Sequence, residues 1–146
     1  MNYEIVKLEQ KIVVGVSAIT SNSDPKMNEV IGGLWQKLYQ GGISGTIKNK
    51  INEYAIGLYS DYSNDQYCVT VGNEVSKAEN SELAVKIIPA GKYAKFSIHG
   101  HVEKAVAEAW GKIWEMDLDR SFTGDFEEYL NSDWDNADIN IYIALK

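Results

Sequence analysis

The residues best suited to chemistry in this chain lie in the run Phe126-Glu127-Glu128-Tyr129. Side chains of an extended strand alternate between faces, so Phe126 and Glu128 share one face and Glu127 and Tyr129 the other. A carboxylate is thereby forced beside a phenol ring. Turned away from water, Glu127 becomes an anionic centre with an aromatic wall. That combination suits a lipophilic cation, through charge pairing in low dielectric and cation–π contact. The same desolvation raises the pKa of a carboxyl and equips it for general acid–base work, so hydrolysis of a small electrophile is the alternative chemistry. At a solvated strand end the two acids would do neither. Glu128 is the rival for the functional role.

Aromatic residues supply the possible walls. Trp35, Tyr39, Trp110 and Trp114 fall on two segments of helical period, while Tyr54, Tyr59, Tyr62, Tyr67, Tyr93 and Tyr129 fall on strand-like or hairpin runs. An aromatic at helical spacing is ordinarily a core residue. The case for a pocket is collective: two Trp-bearing helix faces should meet at one seam. The candidate ligand-binding set is therefore Glu127 with Trp35, Tyr59, Trp110 and Tyr129, joined by Tyr93 and Trp114.

Other patterns point to nothing catalytic. His99-Gly100-His101 lacks a third ligand at recognisable spacing, and Asp133-Trp134-Asp135-Asn136-Ala137-Asp138 lacks the glycine and terminal glutamate of a calcium loop. The histidines read as loop or helix-start residues and the acidic run as a hairpin loop, so no metal is expected. No phosphate loop and no Gly-x-Ser-x-Gly elbow occurs, and no cofactor is expected. Cys68 is the single cysteine, inside a strand-like run, and reads as a small buried hydrophobe.

Two similar halves must position these residues. In the first, Glu4 to Ser17 holds two β-rich stretches and Thr20 to Asp24 is a polar break. A helix follows from Pro25 to about Tyr39, with Asp24 as its N-cap, an apolar face of Val30, Ile31, Leu34, Trp35 and Leu38, and Gly41-Gly42 as its stop. Ile43 to Asn52 is a polar connection. Tyr54 to Tyr59 and Tyr67 to Val71 are strands joined by a turn over Ser60 to Asp65. Lys77 to Ser81 is a polar linker. The second half repeats the order: Leu83 to Ile88 and Lys92 to Ile98 as strands, a helix carrying Val102, Val106, Ala109, Trp110, Ile113 and Trp114, then Phe126 to Leu130 and Ile139 to Ile143.

Trp35-Gln36-Lys37-Leu38-Tyr39 matches Trp110-Gly111-Lys112-Ile113-Trp114 at positions 75 apart, from 35 to 110. Together with the shared element order this predicts a duplicated unit, residues about 1–77 and 82–146, in one α+β domain of antiparallel sheet and two helices flanking a cleft. Junctions between such units are where pockets form.

Composition limits the partners. The 146 residues carry 14 Lys and Arg against 21 Asp and Glu, a net charge of −7 with no basic run. Phosphate binding relies on cations, so nucleic acid is not an expected direct partner. No apolar run approaches the roughly 20 residues that span a bilayer. Met1 to Ile5 resembles no secretory leader, and a cytoplasmic location is expected.

Several runs resemble one family. Ile88-Pro89-Ala90-Gly91-Lys92-Tyr93-Ala94-Lys95-Phe96, the Trp110 to Trp114 helix, Arg120-Ser121-Phe122, Asp125 to Tyr129 and the ending Ile139 to Lys146 are similar in order and spacing to the GyrI-like domain. This is the effector-binding domain of AraC- and MerR-type regulators. Ile31 to Leu38 and Tyr54 to Val75 resemble its first half. The resemblance implies a duplicated βαββ unit with a ligand cleft at a pseudo-twofold and a key acid falling on Glu127. Where members attached to a DNA-binding helix-turn-helix sense drugs, this chain resembles the free-standing bacterial versions. Those include cationic-drug binders, among them proteins from mobile gene cassettes, as well as gyrase inhibitors and small-molecule hydrolases. The expected partner is a cationic, aromatic small molecule. A protein partner such as gyrase or a DNA-binding regulator is the alternative, and monomer and homodimer stay open. Two departures are Ile143-Ala144-Leu145, where the family often has proline, and the second acid, Glu128.

Overall fold

In the computed structural model, residues 2–79 and 82–146 are described, so Asn80 and Ser81 of the expected linker lie outside them. The chain forms β1 (Glu4–Leu8), β2 (Lys11–Ser21), α1 (Met27–Tyr39), a 3-10 turn (Ser44–Thr46), β3 (Lys50–Ser63), β4 (Gln66–Val75), β5 (Ala84–Ile88), β6 (Gly91–Gly100), α2 (Val102–Glu115), β7 (Asp125–Tyr129) and β8 (Ala137–Ala144). The eight strands make one antiparallel sheet in the order β1-β6-β8-β7-β3-β4-β2-β5.

That order is a palindrome. Exchanging β1 with β5, β2 with β6, β3 with β7 and β4 with β8 reverses it onto itself. The α+β fold is therefore a duplicated unit about a pseudo-twofold between β3 and β7. The leading strands are exchanged: β1 pairs with β6 of the second half and β5 with β2 of the first. Neither half completes its own sheet.

The two helices cover one face. Leu34 and Leu38 of α1 pack with Val14, Tyr67, Val69 and Val71 of β2 and β4, while Ala109, Trp110 and Ile113 of α2 pack with Phe96, Ile139 and Ile141 of β6 and β8. On the opposite face a third cluster joins Ile56, Leu58, Tyr93, Phe126 and Tyr142 with Val6 and Leu8 of β1 and Ile88 of β5. Residues of both edge strands meet in it, so the sheet curls into a half-barrel. β4 is buried along nearly its whole length, with Tyr67, Val69, Val71 and Val75 packed in the α1 cluster and Cys68, Thr70 and Glu74 on its other face.

Three local expectations are corrected. Helix α1 starts at Met27, with Lys26 as N-cap and no side-chain cap. The Asp24 carboxylate instead accepts the Lys26 backbone N–H at 2.9 Å, an Asx turn that holds Asp24 and Pro25 ahead of the helix. The first hairpin is tighter than its turn-like sequence suggests. β3 runs to Ser63, β4 starts at Gln66, and the ladder absorbs the polar residues as a bulge between Ser60 and Ser63, with Asp61 at φ 53°. Finally, β2 continues through Thr20 and Ser21, whose partners Tyr67 and Gln66 extend the ladder across the expected polar break. The C-terminal stop of α1 is as expected: Gly42 adopts φ 76°, a left-handed conformation that glycine takes without steric cost.

Candidate functional site

β7 is a central strand and its alternation is as anticipated. Phe126 packs on the third cluster, stacking on Tyr142 at 4.5 Å, and Glu128 shares that face. Asp125, Glu127 and Tyr129 point the other way, toward the helices. Glu127 is 2% exposed. Three neutral donors reach its carboxylate: Tyr129 Oη to Oε1 at 2.6 Å, Trp110 Nε1 to Oε2 at 2.7 Å, and Tyr59 Oη to Oε2 at 3.1 Å.

Among the described residues no basic side chain forms an ion pair with Glu127. Asp125, two residues earlier on the same face, is balanced: Arg120 donates to it at 2.6 Å, Tyr62 at 2.7 Å and the Ala144 backbone N–H at 2.8 Å. Burial raises the pKa of Glu127, and the three hydrogen bonds oppose that rise without cancelling it. Tyr59 and Tyr129 are raised well above the ordinary phenol value, by burial first and then by the adjacent carboxylate. Both phenols stay protonated and act as donors.

The pseudo-twofold passes through this carboxylate. In the β3–β7 ladder Gly57 is the partner of Glu127, while Gly57 pairs with Val71 of β4 and Glu127 with Ile141 of β8. Gly57 and Glu127 are thus equivalent positions, 70 apart from 57 to 127, and so are Tyr59 and Tyr129. The phenols donate to the two carboxylate oxygens from opposite sides. The helices obey the same relation: Trp35 meets Tyr129 edge-on at 5.0 Å and Trp110 meets Tyr59 edge-on at 5.5 Å. Beyond them Tyr39 lies 6.1 Å from Trp35, and Trp114 lies 6.2 Å from Trp110. At the axis the symmetry is broken by Gly57. A Cβ on Gly57 would lie 3.2 Å from Glu127 Oε1 and 3.3 Å from Trp35 Cζ2, so a second acid on the axis has no room.

Above the carboxylate a cavity of about 920 Å³ opens between the helices and the sheet. Of the expected ligand-binding residues it brings together Glu127, Trp35, Tyr59, Trp110, Trp114 and Tyr129. Tyr93 is the exception. It lies on the opposite sheet face, where its hydroxyl donates to the Pro89 carbonyl at 2.6 Å and its ring meets Phe126 edge-on at 5.9 Å. Strand parity explains this, since β6 turns Ala94 and Phe96 to the α2 cluster and Tyr93 to the other.

Several lining residues escaped the sequence reading. Trp134, in the loop between β7 and β8, is half-exposed at the cavity mouth and borders a smaller chamber of about 160 Å³ beside Trp35, Tyr39 and Tyr129. Its carbonyl accepts the Val102 N–H at 2.8 Å, which ties the loop to the start of α2. Phe122 and Arg120 line the cavity beside Tyr62, and the Arg120 guanidinium lies 4.3 Å from the Phe122 ring centre. The shared parity of positions 125, 127 and 129 could have revealed the buried Asp125. Nothing local marks Trp134.

His99 belongs to β6 and contacts Asp138 at 2.6 Å, and His101 is the N-cap of α2. Cys68 is buried on β4. No helix among the described residues is long and apolar enough to cross a membrane.

The fold has solved counterparts. SAV2435, determined with tetraphenylphosphonium bound, superposes with a TM-score of 0.85 at 19% identity, over 100% of this chain and 94% of that one. A putative transcription regulation protein from Staphylococcus aureus gives 0.82 at 20% identity, over 100% and 99% of the chains. An integron cassette protein from the mobile metagenome of Vibrio cholerae gives 0.79 at 26% identity, over 99% and 95%. No curated protein matches in sequence. The family model of the GyrI-like small molecule binding domain matches residues 1–146, from the exchanged first strand through the acid-bearing β7 to the last, and the chain belongs to that family.

Proposed function

We infer that this domain binds a lipophilic cation in the cleft between its helices and sheet, with Glu127 as counter-charge and Trp35, Tyr59, Trp110 and Tyr129 as walls. One observation carries the reading: a carboxylate 2% exposed, at the floor of a cavity of about 920 Å³, whose hydrogen-bond partners are all neutral. A buried charge is costly unless it is paired, and here a cationic ligand is what would complete the pair. The tetraphenylphosphonium held by SAV2435 is support from a protein of the same fold.

Titration with tetraphenylphosphonium, read by quenching of the cavity tryptophans, tests the reading. Glu127→Gln keeps the shape and removes the charge. It should weaken the phosphonium by about tenfold or more while leaving neutral triphenylphosphine oxide within about threefold, since one ion pair in a dry site is worth more than about 1.4 kcal/mol. Equal losses for both ligands would refute a counter-charge role.

A second reading keeps the same residues. A carboxyl whose pKa is raised by burial, within 2.6 Å of one phenol and 3.1 Å of another, has the equipment of a general acid or base. Turnover of a panel of small electrophiles, abolished by Glu127→Gln, distinguishes hydrolysis from binding alone.

A further inference from the structure

The hydrogen-bonding capacity of Glu127 is largely used up by the protein. An ionised carboxylate offers about four lone-pair sites. Tyr129 takes one on Oε1, and Tyr59 and Trp110 take two on Oε2. The indole nitrogen can only donate, so Trp110 cannot be turned round to accept from a ligand. What the carboxylate still projects into the cleft is its field, framed by ring faces. Only one such charge lies on the axis, because Gly57 holds the equivalent position and Asp125 is bonded to Arg120. The other acids lining the cavity, Asp65 and Glu103, are exposed at its mouth.

Resting on the reading of the cleft as a cation site, we propose that it selects monocations whose charge is carried without N–H donors. Quaternary onium centres and fully alkylated iminium dyes belong to this class. Primary ammonium, guanidinium and amino-substituted dyes of the same size and charge are the rejected class. A donor-rich cation must surrender water and finds about one carboxylate site to replace it. The phenol oxygens, neutral acceptors, are weaker partners than a charged one. Each buried donor left unmade costs roughly five- to a hundredfold in affinity. A donor-free cation gives up no such bonds and keeps the full benefit of the field and the rings. The pairs Trp35–Tyr129 and Trp110–Tyr59, one on each side of the axis, suit aromatic groups flanking a central charge.

Two rhodamine dyes of equal charge test this on one scaffold: tetramethylrhodamine methyl ester, which has no N–H, and rhodamine 123, which carries two free amino groups. Binding is followed by fluorescence anisotropy. The wild-type protein should bind the tetramethyl dye at least about tenfold more tightly. Tyr59→Phe removes the longest of the three bonds and opens a carboxylate site, so the ratio should contract by about threefold or more through a gain by rhodamine 123. Tyr129→Phe, which opens a site on the other oxygen, should act in the same direction, with circular dichroism confirming that both variants are folded. Equal affinities in the wild type would overturn the proposal. So would a preference unchanged in both phenylalanine variants and in Glu127→Gln, because dye lipophilicity alone would then account for it. Should neither dye nor tetraphenylphosphonium bind, the cation-site reading fails first; equal binding of the dyes sinks only the selectivity.

Discussion

Glu127 is a residue held at a cost. Burial raises its pKa from an ordinary 4.5, so the folded protein takes up a proton more readily than the unfolded chain. Between the unfolded value and the raised folded value the native state binds more protons. Stability attributable to this group is therefore full below that window and is lost as pH rises through it. Glu127→Gln removes the loss. Its amide oxygen can still accept from Trp110 and Tyr59, and its amino group can donate to the Tyr129 oxygen. The variant should be more stable than the wild type at pH 8, and the two should converge near pH 4. Urea denaturation at both pH values checks this, and a variant less stable than the wild type at pH 8 would contradict it. On the proposed cation reading the pH dependence of binding runs the other way: affinity for tetraphenylphosphonium should fall as pH drops and the carboxyl takes its proton. Under that proposal the site is strained when empty and relaxed by its ligand, a common trade between stability and function.

The pairing of β3 with β7 is where two elements decide what the site can hold. Gly57 faces Glu127 across the ladder, and the space above it is filled by the carboxylate and by Trp35 from α1. Even a methyl group there would sit closer to both than ordinary packing allows, and the indole, wedged against Tyr129 and Tyr39, has little freedom to retreat. Gly57→Ala should therefore displace the carboxylate. The expected result is a fall in phosphonium affinity of about tenfold with a stability loss of only about 1–2 kcal/mol, measured by tryptophan quenching and urea denaturation. Unchanged affinity would show that the axis tolerates a side chain. Gly15 and Gly72, which face each other in the β2–β4 ladder, serve a different purpose. A Cβ on Gly72 would overlap the Val14 carbonyl oxygen, and one on Gly15 that of Val71, so these strands approach more closely than any other residue permits.

For the whole molecule the exchanged strands matter most. Each half lends its first strand to the other, and Val6, Leu8 and Ile88 then meet in one cluster across the curled sheet. A half taken alone would expose an unpaired edge along β2 or β6 and lose part of that core. Fragments 1–77 and 82–146, produced separately, should each lack a cooperative thermal transition and regain one when mixed, as followed by far-ultraviolet circular dichroism. A fragment that melts cooperatively by itself would show that strand exchange is dispensable. The β3–β7 pairing joins the halves at the site: it brings Tyr59 of the first half to a carboxylate that Trp110 and Tyr129 of the second already reach.

Periodicity along the chain was enough to place both helices, most of the strands and the alternation that turns Glu127 and Tyr129 to one face, because these follow from local backbone geometry. The W-x-K-[LI]-aromatic match exposed the duplication and brought the two tryptophans into one argument. Local information was misleading where polar residues had turn chemistry but tertiary pairing kept them in strands, as at Thr20 and Ser60 to Ser63. It also could not assign Tyr93 to the far face, since a strand in a curled two-sided sheet is buried on both sides and its apolar pattern does not say which side meets the helices. That Glu127 and not Glu128 lines the cavity, the place of Trp134 at its mouth and the glycine opposite Glu127 were decided by long-range contacts. Which residues meet across a pseudo-twofold depends on the register between strands far apart in sequence, and no single strand carries that register by itself.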